Sequence, residues 1–284
     1  MTAVEKLRTT ARSGARTIIT GVGQLSAPLR MTPSFLIAGA QRCATTSLFR
    51  MLAQHPEVHP PALNKGVHYF DTADKFRRGL RYYTGHFPLR RPATSTGITG
   101  EGSPYYIFHP LAVQRIAAAL PEAKLVVLLR DPAERAFSAY KQELKRGFET
   151  LPFAEALDAE ARRLDGEEER IISDEDYQSF SHQHHAYVAR GRYAAQLERA
   201  FATLGRERVL VIDADDFMLP GLPQWQELTD YLGISPWTPQ DVLQSNARPS
   251  SPMPEDIRSL LVREFAEDDE RLAELLGYTP SWRR

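Results

Sequence analysis

One cysteine, Cys43, occurs in 284 residues, so no disulfide can form within the chain and a disulfide-stapled secreted scaffold is excluded. A reducing cytoplasm is the expected compartment. Charge of one sign is lacking too: 35 lysines and arginines stand against 36 aspartates and glutamates. A general nucleic-acid binder needs a basic excess, so none is expected, and any anion site must be local. Long apolar runs are absent. The longest, Leu125 to Leu129, is strand-sized and far short of a membrane span. The first thirty residues carry Lys6, Arg8, Arg12, Arg16 and Arg30 against Glu5, with Val4, Leu7, Ala11, Ala15, Ile18 and Ile19 near helical spacing. They read as a basic extension over 1–32, a loose amphipathic helix that is frayed or rests on an anionic membrane surface. It has no h-region or cleavage site of a signal peptide.

The stretch Phe35-Leu-Ile-Ala-Gly-Ala-Gln-Arg-Cys-Ala-Thr-Thr-Ser-Leu48 carries the most information. An apolar strand breaks into small and hydroxyl residues and resumes as a helix. Unsatisfied amides at a helix start, with the positive end of its dipole, cradle a phosphate. The nucleotide-triphosphate version needs G-x-x-x-x-G-K-[ST]. Counting from Gly39, Ala44 replaces the second glycine and Thr45 the lysine, and only Thr46 fits. The loop's cation is Arg42, which points away from ATP and magnesium chemistry.

Along the rest of the chain, strands alternate with helices. Strands are expected at 34–38, 98–100, 124–130 and 208–213, and helices at 45–54, 75–87, 110–120, 193–204, 222–232 and 255–276. The continuous apolar character of 124–130 fits a strand buried on both faces of a parallel sheet. Asp131-Pro132 caps the helix that follows it. The charged stretch 153–177 is expected to be an exposed helix and loop. Ile257, Leu260, Leu261, Phe265, Leu272, Leu275 and Leu276 form the stripe expected to bury the last helix. The fold expected is α/β: a single P-loop-type domain over 33–284, with a mainly parallel sheet flanked by helices and ligands at the strand C-terminal ends.

Several segments resemble, in order, those of the sulfotransferases that use 3'-phosphoadenosine 5'-phosphosulfate (PAPS), particularly the heparan sulfate and bacterial branch. Residues 39–47 resemble the loop that holds the 5'-phosphosulfate. Residues 128–140, Leu-Leu-Arg-Asp-Pro-Ala-Glu-Arg-Ala-Phe-Ser-Ala-Tyr, resemble the element that holds the 3'-phosphate. Gly-Val-His-Tyr-Phe-Asp (66–71), Glu-Gly-Ser-Pro-Tyr-Tyr (101–106), Gly-Arg-Tyr (191–193) and the closing segment 272–282 extend the likeness from Phe35 to Trp282. The resemblance implies a sulfuryl transfer from PAPS to a hydroxyl, less readily an amine, of a carbohydrate, glycolipid or small metabolite, with no metal. It places Gln41, Arg42, Cys43, Ala44, Thr45, Thr46 and Ser47 at the 5'-phosphate, Arg130 and Ser138 at the 3'-phosphate, and Arg192 and Arg248 in further donor contacts.

Transfer needs in-line positioning, cations where charge develops, and a base for the acceptor proton. Arg42 is the loop cation, where the family has lysine. Lys65 contacts the bridging oxygen or the acceptor, or is a solvated loop lysine. The heparan sulfate enzymes place a glutamate base where this chain has Gly66, which leaves His68 first and Glu101 second as base. Glu101 could equally orient a loop cation. His182-Gln-His-His185 lacks carboxylate or cysteine ligands at metal-binding spacing and is not read as a metal site. Arg190 and Arg192 are candidate anion contacts. Two alternatives stand beside the transferase: a P-loop kinase or nucleotide hydrolase, opposed by Thr45, and a non-catalytic PAPS-binding module, for which Ala44 and Gly66 leave room.

Overall fold

Four apolar segments form the sheet of this computed structural model: β1 Phe35–Gly39, β2 Gly100–Gly102, β3 Lys124–Leu129 and β4 Val209–Asp213. The structure describes residues 21–62, 64–90, 97–218, 224–240 and 252–284. All strand pairs are parallel, in the order β2-β1-β3-β4, with Phe35 beside both Gly100 and Lys124, and Leu125 beside Val209. Nearly every strand residue is buried, as expected for a sheet covered on both faces.

The helices are α1 Thr45–Leu52, α2 Ala73–Phe76, α3 Gly79–Thr84, α4 Ala112–Ala119, α5 Pro132–Arg146, α6 Phe153–Leu164, α7 Glu167–Ser173, α8 Phe180–His184, α9 Tyr193–Leu204, α10 Ala214–Phe217, α11 Trp225–Leu232, α12 Glu255–Glu264 and α13 Ala266–Leu276. None among the described residues is long and apolar enough to cross a membrane. The single α/β domain expected from the sequence is the one observed.

The strand order places the site. From β1 the chain runs to β2 on one side, and β3 then lies on the other side of β1. A crevice therefore opens between the ends of β1 and β3, where α/β proteins bind ligands. The pairing of β1 with β3 skips a residue between Ile37 and Gly39, just before the loop. Beyond β3, Asp131 caps α5 by accepting from the Ala133 and Glu134 amides at 2.9 and 3.4 Å, with Pro132 in the first turn.

Four expectations change, the first being that the helix expected over 75–87 is two short ones, α2 and α3. The helix expected over 255–276 bends at Phe265, dividing into α12 and α13. The Phe265 ring packs where a Cβ on Gly191 would approach within 2.7 Å. Ile257, Leu261 and Phe265 then form the inward row, and Leu260 faces solvent. The charged stretch 153–177 contains a buried acid: Glu160 accepts from the amides of Tyr187, Val188 and Ala189 at 2.9, 2.7 and 2.8 Å. Residues 1–20 of the basic extension lie outside the described residues. Its end packs on the domain, since the Arg30 guanidinium donates to the Phe87 carbonyl and the Met31 amide to Pro88.

Candidate active site

Gly39 ends β1 where no side chain fits, because a Cβ there would stand 2.3 Å from Ile107 Cγ2. In the loop that follows, Arg42 and Ala44 take left-handed φ of 73° and 55°, strained for residues with a Cβ. Such strain persists where the surroundings hold it for a purpose. Ala44 heads α1, and no side chain caps that helix start. Its first amides, with the dipole behind them, suit an anion. Cys43 turns inward, fully buried, its amide donating to the Ala40 carbonyl at 3.3 Å. Burial raises its thiol to about 11. Its side chain fills the loop from behind and does not line the cavity.

A lysine covers the helix start from the other side. Lys65 Nζ donates to Thr45 Oγ1 and Thr46 Oγ1, both at 3.1 Å. Its stem crosses Gly102, where a Cβ would come within 2.6 Å of Lys65 Cε. Burial lowers its pKa to about 8, against the opposing pull of Glu101. Lys65 is therefore a partly buried cation that lines the cavity, not a solvated surface lysine.

Glu101 lies beneath this layer. It is fully buried in β2 and accepts four hydrogen bonds: Val67 amide 2.5 Å, Ser103 hydroxyl 2.6 Å, Tyr106 hydroxyl 2.7 Å and Tyr83 hydroxyl 3.1 Å. It does not line the cavity, and its acceptor capacity is taken up. The structure assigns it to hold the Val67-His68 turn. The His68 amide donates to Ser103 Oγ at 2.9 Å, and His68 itself has a left-handed φ of 54°. Its Nδ1 lies 2.7 Å from Asp71 Oδ2, which leaves Nε2 as the nitrogen able to serve the cavity that the ring lines. Burial alone would lower the His68 pKa, but the Asp71 charge and hydrogen bond outweigh it and the net shift is upward. Asp71, though wholly buried, is held below its usual range by His68. Gly66 has a packing reason: a Cβ there would stand 2.5 Å from the Gly102 carbonyl oxygen.

The opposite wall comes from β3 and α5. Arg42 Nε donates to Ser138 Oγ at 2.9 Å, and its NH1 donates to Gln142 Oε1 at 2.6 Å. This contact joins the two segments singled out in the sequence. Burial, then the neighbouring Arg130, lowers the Arg42 pKa. Arg130 sits loosely between Glu134 at 3.9 Å and Asp215 at 3.8 Å. Glu134 is held more closely by Arg258, at 2.7 Å. Arg130 thus keeps most of its donors for a ligand.

The cavity between these walls measures about 1200 Å³ and is lined by Lys65, His68, Gln41, Arg42, Thr45, Thr46, Ser47, Arg130 and Ser138. Arg50, Lys141, Lys145, Arg146 and Arg190 bring its lysines and arginines to eight, against the carboxylates Glu134 and Asp215. Arg192 is outside it, on the surface and paired with Glu264. Arg190, two residues earlier, lines the wall instead, because the turn at 189–191 directs it inward. Arg248 falls outside the described residues. The histidines at 182–185 diverge: His182 pairs with the Tyr105 hydroxyl at 2.7 Å, His184 with Glu143 at 3.0 Å and His185 with the Phe148 carbonyl at 3.0 Å. Among the described residues no group of three histidine, cysteine or acidic side chains could hold a metal ion. Gln142 carries no motif, and only its place one turn beyond Ser138 hinted at it, whereas Arg190 is among the anion contacts expected from the sequence.

A sheet-edge cavity that is strongly cationic in a near-neutral chain, with a cradle lacking the Walker lysine, matches what the comparisons return. The family described as "Sulfotransferase domain" matches residues 32–251. A sulfotransferase of known structure from Alicyclobacillus acidocaldarius is 34% identical, with a TM-score of 0.65, over 89% of this chain and 99% of its own. The Dictyostelium discoideum protein named membrane-associated sulfotransferase kil1 is 25% identical over 88% of this chain and 66% of its own length. The Caenorhabditis elegans bifunctional heparan sulfate N-deacetylase/N-sulfotransferase 1 is 24% identical over 88% of this chain and 31% of its own. The chain thus spans about two thirds of one curated relative and under a third of the other. The match across residues 32–251 and the likeness to a solved sulfotransferase over nearly all of that protein's length lead to one conclusion: this chain is an enzyme of the sulfotransferase family.

Proposed function

We propose that the enzyme moves a sulfuryl group from PAPS to a hydroxyl, less readily an amine, of a carbohydrate, glycolipid or small metabolite. The observation that carries this reading is a pair of cation-and-hydroxyl clusters in one cavity. One lies at the start of α1 under Lys65, and the other lies at the exit of β3 with Arg130 and Ser138. A donor phosphorylated at both the 5' and 3' positions needs two such places, and a cavity of this size has room for an acceptor beside it.

The donor supplies a sulfuryl group on an activated phosphate. Lys65, with Thr45 and Thr46, holds the 5'-phosphate and meets the charge that develops as the sulfur–oxygen bond to it breaks. Arg130 and Ser138 hold the 3'-phosphate, and Arg42 bridges the two ends. His68 Nε2 takes the acceptor proton while the new oxygen–sulfur bond forms, and Asp71 orients the ring and stabilises its cationic form. Glu101 supports the turn that carries His68.

The single buried cysteine fits a cytoplasmic protein, and the relative named as membrane-associated keeps a peripheral contact through the basic N-terminus within the reading. The test is calorimetry with 3'-phosphoadenosine 5'-phosphate (PAP) on the native protein and Arg130→Ala. Micromolar binding by the native protein, weakened at least tenfold in the variant, is expected. No binding by the native protein would sink the donor assignment, and magnesium-dependent ATP binding in its place would favour the kinase alternative. Once an acceptor is found, His68→Ala is expected to lower turnover by 10²- to 10⁴-fold while donor affinity stays within about twofold.

A further inference from the structure

Arg190 is a buried cation that the sulfuryl-transfer reading leaves without a task. It is 4% exposed, and among the described residues no carboxylate lies within ion-pair distance of it. Burial lowers its pKa to about 10, so it stays charged at neutral pH. Two of its three guanidinium nitrogens are held by hydrogen bonds, and the third, Nε, is buried without a partner among the described residues. NH1 donates to Gln41 Oε1 in the phosphate loop at 2.6 Å, and NH2 donates to the carbonyls of His182 and Gln183 at 2.9 and 2.7 Å. Its faces lie 4.6 Å from the Tyr105 ring centroid and 5.0 Å from that of Phe108.

The backbone that carries it is fixed with unusual care. Fully buried Arg135 donates to the Tyr187 carbonyl, Glu160 takes the amides of 187, 188 and 189, and Gln196 Nε2 donates to the Arg190 carbonyl at 3.1 Å. Burying Arg135 and Glu160 costs free energy that a surface turn would not need to offset. What this framework holds still is one guanidinium, and the side chain at its end is Gln41. The carbonyls it grips belong to the segment whose Gln183 and His184 side chains line the cavity.

We propose that Arg190 is a positioning residue that fastens the phosphate loop, through Gln41, to segment 182–184, whose Gln183 and His184 line the cavity. A loop already set in its binding shape loses less freedom when the ligand arrives. Its uncompensated charge also raises the potential of the cavity for anions. This inference rests on the proposal that the loop binds the donor's 5'-phosphate.

The test is a double-mutant cycle read by PAP calorimetry on the full chain, using Arg190→Met, Gln41→Leu and the double variant, with melting curves to establish that each is folded. Each single variant is expected to bind PAP about tenfold more weakly, and the double variant no more than about twofold worse than Arg190→Met. Additive losses near a hundredfold would overturn the inference, since the two side chains would then act separately. Affinity within twofold of the native protein in either single variant would overturn it too. If Arg190→Met does not fold, Arg190→Lys replaces it in the cycle: it keeps the charge but not the fork that joins Gln41 to the 182 and 183 carbonyls, and the same non-additivity is expected. A native protein that binds no PAP fails the donor reading, whereas one that binds it with both variants unchanged fails this inference alone.

Discussion

Lys65 gives the sharpest quantitative prediction, because its charge is both needed and close to being lost. Burial brings its pKa from 10.5 to about 8, and its ammonium spans the hydroxyls of Thr45 and Thr46 at the start of α1. If only the protonated lysine grips the 5'-phosphate, the apparent dissociation constant for PAP scales as one plus the ratio of neutral to charged lysine. That factor is about 1.1 at pH 7, about 2 at pH 8 and about 11 at pH 9, a tenfold loss of affinity over two pH units. The sign is fixed by the direction of the shift: a lowered pKa means that the charge disappears as pH rises through 8. The phosphates of PAP, with second ionisations near pH 6, are already dianionic over this range and add no slope. Bound phosphate pushes the lysine pKa back up, so binding at pH 8 should take up about half a proton, read from calorimetry in buffers of different ionisation enthalpy. Lys65→Met should weaken binding at pH 7 by about 10- to 100-fold, a charged hydrogen bond being worth ~1.5–3 kcal/mol, and should flatten the slope between pH 7 and 9. A native affinity that is constant from pH 7 to 9, or a slope that survives in Lys65→Met, would refute the reasoning.

Two further predictions concern stability. Glu101→Gln keeps the shape of the side chain but replaces one acceptor oxygen with donor hydrogens that face other donors, while the Val67 amide cannot turn away. The loss should be about 3 kcal/mol, roughly 5–10 °C in the melting temperature; a variant that melts with the native protein would remove Glu101 from its supporting role. Ala44→Gly should raise stability by about 1 kcal/mol, since glycine adopts the left-handed φ of 55° without strain, and a lowered melting point would show that the strain there is relieved by something else.

What the sequence made legible was set by local physics. The apolar run 124–129 can only be buried on both faces, and Asp131-Pro132 can only start a helix, so β3 and α5 were readable, and with them the placement of Arg130 and Ser138. The loop from Gly39 announced itself by its small residues. Less legible were features that depend on distant partners. Glu101 reads as a candidate base until its four donors are seen, three of them from segments remote from or folded back on β2. Arg190 and Arg192 flank Gly191, and only the turn at 189–191 decides which faces the cavity and which pairs with Glu264 at the surface. Phe265, where the helix bends, packs its ring on Gly191, more than seventy positions away in the chain.

The charge of the chain makes the same point in terms of energy. Nearly equal numbers of acidic and basic side chains give no hint of an anion site in the total, yet eight cations and two carboxylates converge on one cavity. Burial first, with like-charged neighbours adding to it, lowers the pKa values of Lys65, Arg42 and Arg190. The three differ in what holds them. Arg42 rests on Ser138 and Gln142, Arg190 on backbone carbonyls and Gln41, and Lys65 on two hydroxyls alone. None of the three has a carboxylate within ion-pair distance among the described residues. Neutral acceptors keep a cation in place without cancelling its field, which is the arrangement a site needs if the charge is to act on a ligand and not on the protein. Glu101 shows the converse. It is close enough to raise the pKa of Lys65, but its oxygens are committed to Val67, Ser103, Tyr83 and Tyr106, so the lysine feels its charge without being drawn into a pair.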